Sequence, residues 1–556
     1  MSRTFVHLAI VISLALVVFT FRLGVADWRG DADAQVAQII QDIRAGNGWV
    51  LPLRNGRHIP DKPPLLSWLG AASAAVRQSS GDALDARLPS ALLATLCVVV
   101  VYGFAHSLAG ESVAWWAALM LITTPQFITA ARDSRVDMAF CAFLAPGLVL
   151  AWNVYDGNGG GGTALLAGLC FGLATLSKGP LALVLGVLIF GVSVLLTPPR
   201  PGWRALVGLP ALTAGVGLPA LWYLAATVEQ GWAFVRLHLL EENVGRMAGG
   251  LGKWPIWYYI APLLTLGLPW TVALPGAAAG ESALPSRPRR FLWTWVLVMF
   301  VFFSLSFGKR RVYLLPIRPA LAILIAGWLA PLLDRVRSLS RPSEAPRVAH
   351  TTIASLAAVT LVSVLMLRAG LGGFGASEQQ WSYWWRLHLQ EYPFSAFTLI
   401  VGLGIGADLI VRWTWQRRFD RVAHALVGML VLGWTIGLSS DAIVRGQALS
   451  FRPLAQRVAA EVGTTEALAF LDVPDETAVC FLSHLRRHVP VVQSVEGHGA
   501  CTPPAPGAYL VAESRWDQRA CATDPRWHAI AHGGPEIRSH RSQRLVLARF
   551  GEAPAH

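Results

Sequence analysis

Only four lysines occur among the 46 basic residues of this 556-residue chain, each in a short polar break between long apolar segments. The four breaks are Asp61-Lys62-Pro63-Pro64, Ser177-Lys178-Gly179-Pro180, Gly252-Lys253-Trp254-Pro255 and Gly308-Lys309-Arg310-Arg311. A compact ammonium is a point charge suited to phosphate, so cations placed beside apolar segments suit a ligand with a lipid tail and a phosphate head. Carboxylates accompany them: Asp31 and Asp33, and Asp137 close after Arg132, Asp133 and Arg135. A carboxylate can act as general base on an incoming hydroxyl, while cations stabilise charge developing on a departing phosphate.

Each residue also has a structural reading. Asp31 and Asp33 open an amphipathic helix running to about Ala45, where acids are often caps facing the positive dipole end. Asp137 sits at the mouth of an apolar span and could pair with Arg132 or Arg135. Lys62 could snorkel towards headgroups, in an extended Asp-Lys-Pro-Pro loop entering an interfacial helix at Leu65, Leu66, Trp68 and Leu69. Lys178 is expected near the helix N-terminus opened by Gly179-Pro180, where backbone N–H groups also favour anions. Lys253 precedes the aromatic run Trp254 to Tyr259 and reads as interfacial. His238, Glu241 and Glu242 have helical spacing that could hold a divalent metal, although a solvated face is the simpler reading.

The elements that must position these groups are membrane helices. The chain is 54% apolar and 14% charged, with 23 Trp and a positive mean hydropathy, which excludes an assembly of soluble domains. Apolar runs of spanning length start near Thr4, Leu88, Val113, Met138, Thr163, Pro180, Ala205, Ile256, Phe291, Val312, Thr351, Phe394 and Val422, about thirteen spans. With the N-terminus inside, the loops 198–204, 281–290, 334–347 and 412–421 are cytoplasmic and carry thirteen Arg against four acids, as the positive-inside rule requires. Most of the net charge of +13 therefore reports topology and anionic headgroups, not a nucleic-acid surface. The first span resembles a signal peptide ending at Gly24-Val25-Ala26, but its apolar run is long and it is expected to stay as a span.

This orientation turns every candidate residue to the outer face. The first outer loop, about 27–87, holds Asp31, Asp33, Asp61, Lys62 and Arg87; Lys309, Arg310, Arg311 and Tyr313 follow the ninth span, where positive charge is disfavoured and a compensating anion is implied. The expected organisation is a transmembrane domain, 1–445, and an outer mixed α/β domain, 446–556, with short apolar runs. That tail contains Cys480, Cys501 and Cys521. An oxidising compartment allows one disulfide among them, most simply Cys501 with Cys521, though the spacing does not choose. A lipid flippase or transporter would also want outward cations, but it predicts polar groups near mid-membrane, and here the charges crowd one face.

Taken in order, these segments resemble the bacterial aminoarabinose transferase branch of the protein O-mannosyltransferase superfamily. The resemblance rests on Gly30-Asp31-Ala32-Asp33-Ala34, Asn47-Gly48-Trp49, Asn55-Gly56, Asp61-Lys62-Pro63-Pro64 and Ala86-Arg87-Leu88-Pro89-Ser90. It continues through Asp137-Met138, Leu176 to Pro180, Asn243-Val244-Gly245-Arg246, Trp257-Tyr258-Tyr259 and Tyr313-Leu314-Leu315-Pro316. It implies a C-type glycosyltransferase fold in the bacterial inner membrane, with the active site and the C-terminal domain in the periplasm. The donor is then a polyprenyl-phosphate sugar, transferred with inversion to a glycolipid such as lipid A, to protein or to another envelope glycan. Phosphate contacts fall to Lys62, Lys178, Arg246, Tyr313 and one of Lys309, Arg310 or Arg311; Asp31 becomes the base and Asp137 positions it or the acceptor. No cofactor is firmly implied, and a divalent metal stays open through His238 and Glu241. The family's acidic pair is adjacent, whereas Ala32 separates Asp31 from Asp33 here, so Asp33 competes for the catalytic role.

Overall fold

Long apolar runs leave the backbone no hydrogen-bond partner in lipid except itself, so they fold as helices. The computed structural model describes residues 3–28, 31–55, 57–58, 62–245, 254–338, 393–416, 418, 419–448, 450–462, 466–485, 487, 489–494, 502–518, 521–534 and 543–551. Among them, nine helices are long and apolar enough to cross a membrane, ten if one bent pair is a single span. The protein is a multi-pass helical membrane protein. The helix Ala83–Thr123 covers both spans expected from Leu88 and Val113, with non-helical backbone at Ala109 and Gly110, where φ is +80°. The run from Ile256 is not one straight span: Ile256–Thr265 and Trp270–Ala279 meet at 107°, because Gly267 and Pro269 interrupt the ladder. The run from Thr351 lies outside the described residues.

Two units are distinguishable. One comprises Met1–Phe21, Pro60–Leu66 and Leu88–Asp441. In it the helices Val136–Tyr155 and Gly161–Lys178 form an antiparallel hairpin joined by a Gly-rich turn. A Cβ on Gly168 would lie 2.3 Å from the Ala211 carbonyl oxygen, and one on Gly172 would lie 2.4 Å from that of Ala214. Small residues four apart thus let a neighbouring backbone touch this helix.

Buried arginines close helix ends throughout this unit. Arg132 donates to the carbonyls of Val18 (2.9 Å), Phe19 (3.3 Å) and Phe21 (2.8 Å) at the end of the first span. Arg318 donates to Leu263 (3.0 Å) and Pro262 (3.1 Å), whose carbonyls face the break, and to Gln126 Oε1 (2.7 Å). The last carbonyls of a helix lack intrahelical partners, and a multidentate guanidinium serves several at once.

The second unit comprises Arg22–Ile59, Ser67–Arg87 and Ala442–His556. Its tail contains a five-stranded mixed sheet. Numbering the short pair Leu53–Arg54 and Arg57–His58 as β1 and β2, the strands are β3 (Leu468–Leu471), β4 (Val491–Val492), β5 (Gly507–Ala512), β6 (Trp527–Gly533) and β7 (Leu545–Phe550), in the order β4-β3-β5-β7-β6. Period-two alternation decides which residues meet. Ala508, Leu510, Leu545 and Leu547 enter one core, while Tyr509, Val511, Val546 and Ala548 enter the core on the opposite face with Trp516 and Trp527. The first core also takes Ala34, Ala37, Ile40 and Ile43 from the helix Asp31–Arg44. Cys521 is disulfide-bonded and Cys480 is not, while Cys501 lies outside the described residues.

Candidate active site

Asp137 lies in the first turn of the helix Val136–Tyr155, and Lys178 ends the next helix, Gly161–Lys178. Consecutive antiparallel helices place the start of one beside the end of the other, and the two side chains meet: Lys178 Nζ donates to Asp137 Oδ1 at 2.6 Å. Lys178 therefore stands at a helix C-terminus, which favours a cation, and the next helix begins only at Leu181. Gly179, at φ +99°, turns the chain between them, in a region costly to residues bearing a Cβ.

Two aromatic faces complete the surroundings of this ammonium, Tyr313 with its ring centroid at 4.5 Å and Phe140 at 5.3 Å. On the other carboxylate oxygen, Arg135 Nε lies 3.9 Å from Asp137 Oδ2, and Arg310 adds its field to that of Arg135. Among the described residues, Asp137 is the single hydrogen-bond partner of Lys178. An ammonium has three donors, so two N–H groups remain for a ligand, and the side chain is 12% exposed.

The basic triplet separates into three environments. Lys309 is buried and gives its ammonium to the carbonyls of Ser304 (2.9 Å) and Ser306, closing the helix Ser286–Leu305. Burial holds its pKa below that of an ordinary lysine. Arg310 is partly exposed and its backbone N–H donates to Tyr259 Oη at 3.3 Å. Arg311 is exposed. Of the three, Arg310 is the one whose charge reaches the Asp137–Lys178 pair.

In the second unit, Asp33 is buried and ion-paired with Arg87, whose Nε lies 3.2 Å from Asp33 Oδ2. Arg87 is fully buried and also donates to the carbonyls of Leu23 (3.1 Å), Ala26 (2.7 Å) and Asp27 (2.8 Å). Asp31 is the first residue of its helix. The metal candidates do not gather: His238 Nε2 lies 3.0 Å from Tyr223 Oη, with its ring stacked on Phe234, and Glu241 is exposed and paired with Arg236. Among the described residues no group of three or more His, Cys, Asp or Glu is assembled. Lys62 is partly exposed, and Asp61, Arg246 and Lys253 lie outside the described residues.

Comparison with known proteins supplies its relatives. Residues 61–227 match the dolichyl-phosphate-mannose-protein mannosyltransferase family. An undecaprenyl phosphate-α-4-amino-4-deoxy-L-arabinose arabinosyl transferase of Pseudomonas fluorescens is 30% identical over 55% of this chain and 53% of its own length. The Pseudomonas aeruginosa enzyme of that name is 28% identical over 69% of this chain and 67% of its own. The chain thus spans between about half and two thirds of these curated relatives. A crystal structure of ArnT from Cupriavidus metallidurans bound to undecaprenyl phosphate superposes with a TM-score of 0.77 at 20% identity, covering 97% of each chain. The chain resembles aminoarabinose transferases in sequence over part of its length and one of them in fold over nearly all of it. Its overall fold is that of the ArnT structure. Lys62, Asp137 and Lys178 fall inside the segment matched by the family model, whereas Asp31, Arg310 and Tyr313 lie outside it.

Sequence reasoning named both Asp137 and Lys178 but gave them separate roles; the signal for their pairing was the short Gly-rich turn, which makes the two helices a hairpin. It missed Arg318 and its partner Gln126. A single guanidinium within an apolar run was the available signal.

Proposed function

We propose that this protein transfers a sugar of the aminoarabinose type from undecaprenyl phosphate to a lipid A-type glycolipid. The reading places it in the bacterial inner membrane, with about thirteen spans and with the loop 27–87, the reacting groups and the domain 446–556 on the periplasmic side. The names of the curated relatives and the undecaprenyl phosphate in the ArnT structure support the donor class, and the glycolipid acceptor follows from the family resemblance. One observation carries the chemistry: a shielded ammonium, oriented by Asp137, keeps two donors uncommitted beside aromatic faces that suit an apolar tail.

In the reaction the anomeric carbon–oxygen bond to phosphate breaks as the acceptor oxygen bonds to the same carbon from the opposite face, with inversion. The electron pair leaves on the phosphate, where Lys178 and Arg310 meet its growing charge, with Lys62 and Arg246 as further contacts. Asp31 takes the proton of a hydroxyl acceptor. If the acceptor is an ionised phosphate, Asp31 orients it instead. Asp137 holds Lys178 in place, and Asp33 serves structure.

The test is transfer by the purified protein from undecaprenyl-phosphate aminoarabinose to lipid A, read by mass spectrometry. Addition of one aminoarabinose per transfer is expected, with Asp31→Asn lowering the rate by about 10²-fold to 10⁴-fold. Sugar appearing on protein, or on no acceptor at all, would overturn the assignment. Orientation is read separately: a cysteine placed at position 345 should resist an impermeant maleimide applied from outside, and one at 515 should react.

A further inference from the structure

The unit containing the tail holds a cleft, lined mostly by polar residues, that these roles leave unused. The helix Asp31–Arg44 commits Ala34, Ala37, Ile40 and Ile43 to the core, and residues near its end line a cleft of about 610 Å³. Gln38, Gln41, Asp42 and Arg44 come from that helix, Asn55 from the β1–β2 turn, and Arg487 from the segment after the helix Asp475–Leu485. The volume falls within the roughly 300–1,000 Å³ of small-ligand sites.

The walls are fixed. Asn55 Nδ2 donates to the Val489 carbonyl at 2.7 Å while its Oδ1 accepts the Val489 N–H at 3.0 Å, and Gln41 Nε2 donates to Gly81 O at 3.2 Å. Gln38 is buried, gives Nε2 to Val479 O at 2.8 Å and keeps Oε1 without a partner among the described residues. Most telling is Asp42: two arginines line the same cleft, yet its carboxylate pairs with neither, and no side-chain partner is found for it among the described residues. Burial pushes its carboxyl up to about 6.

A free carboxylate only accepts hydrogen bonds, whereas guanidinium groups only donate them. A simple anion would be repelled by Asp42 and a simple cation by Arg44 and Arg487. A ligand carrying both hydroxyl donors and an anionic substituent satisfies both. We infer that this cleft binds a phosphorylated saccharide, its ring hydroxyls donating to Asp42 and its phosphate set against Arg44 and Arg487. As a subsite for the acceptor's head group, the inference rests on the glycosyl transfer proposed above; as a binding site it stands on the cleft alone.

Glucosamine 1-phosphate titrated calorimetrically into the purified full-length protein, without donor, tests it. Saturable binding at millimolar concentration or below is expected, weakened about tenfold or more by Asp42→Ala and by Arg487→Gln, with polyprenyl-phosphate binding unchanged. Arg44→Gln, at an exposed helix end, provides a third variant if either of the others fails to fold. Inorganic phosphate binding as tightly as the sugar phosphate, or equal affinity in every folded variant, would overturn the saccharide site. The acceptor role further predicts a raised KM for lipid A in these variants; unchanged transfer kinetics with weakened sugar-phosphate binding would remove that role and leave the site. A wild-type protein that binds the sugar phosphate but never consumes donor would count against the transfer reaction and not against the cleft.

Discussion

Asp33 with Arg87 in one unit and Asp137 with Lys178 in the other are both shielded carboxylate–cation pairs, but the protein uses their donors differently. Arg87 makes five hydrogen bonds to Asp33 and three carbonyls, the full capacity of a guanidinium. Lys178 makes one of its three. The first pair is closed and holds the chain segments around it; the second retains donor capacity that a ligand can take up. Arg132 and Arg318 resemble Arg87, with their bonds directed at carbonyls of helix ends. This chain uses buried arginine as a multidentate cap and holds the Lys178 ammonium partly in reserve.

The largest effect should come from breaking the closed pair. Asp33→Ala leaves a buried guanidinium without its counter-charge, and removing one partner of such a pair costs about 3–5 kcal/mol. Thermal unfolding of the purified variant should show a large loss of Tm, partly restored by Asp33→Ala/Arg87→Met. A variant of wild-type Tm but without transfer activity would instead make Asp33 a chemical residue.

Opening the other pair should cost activity more than stability. Lys178→Met keeps an apolar stem against Tyr313 and Phe140, and Arg135 stays near Asp137. Transfer should fall by about 10²-fold or more, the loss of one electrostatic stabiliser of the leaving group. Tm should change little, and Lys178→Arg should rescue poorly because a planar fork places its charge elsewhere. Wild-type turnover by the Met variant would reduce the two pairs to the same structural role.

How far these roles were legible in sequence follows the range of the interactions. Apolar runs and arginine-rich loops are local signals, and they located most of the described helices. The scarcity of lysine marked Lys178, and the hairpin turn carried its pairing with Asp137. Asp33 and Arg87 are 54 positions apart, and nothing local chooses between Asp31 and Asp33; the choice of Asp33 is made by the carbonyls of Leu23, Ala26 and Asp27, gathered around Arg87. Lys309 was marked by the same scarcity as Lys178, yet it is buried against Ser304 and Ser306. Residue type showed that these cations were placed, but only the fold distinguishes a cap from an open donor. The break near Gly267 was visible as Gly and Pro in an apolar run, while its repair by Arg318, about fifty residues later, depends on tertiary packing.

Asp42 extends the comparison to a partly buried carboxylate with no cationic partner among the described residues, and its expected effect is the smallest. Burial alone raises its pKa, to about 6 in the folded protein from 3.8. Between those values the folded state binds more protons than the unfolded state, so stability falls as pH rises through that window and the penalty is complete above it. Removing the charge should therefore stabilise the protein at neutral pH and do nothing at low pH. A shift of this size corresponds to at most about 3 kcal/mol, and partial exposure reduces the expectation to about 1–2 kcal/mol. Asp42→Asn should then raise Tm at pH 7.5 by a few degrees, with the gain disappearing near pH 3.5, as measured by thermal unfolding of both proteins in the same detergent. Arg44 and Arg487 are the other charged groups lining the cleft. Equal Tm shifts at the two pH values would trace the effect to packing, and a loss of stability at pH 7.5 would mean that Asp42 has a cationic partner after all, which would bring it into line with Asp33 and Asp137.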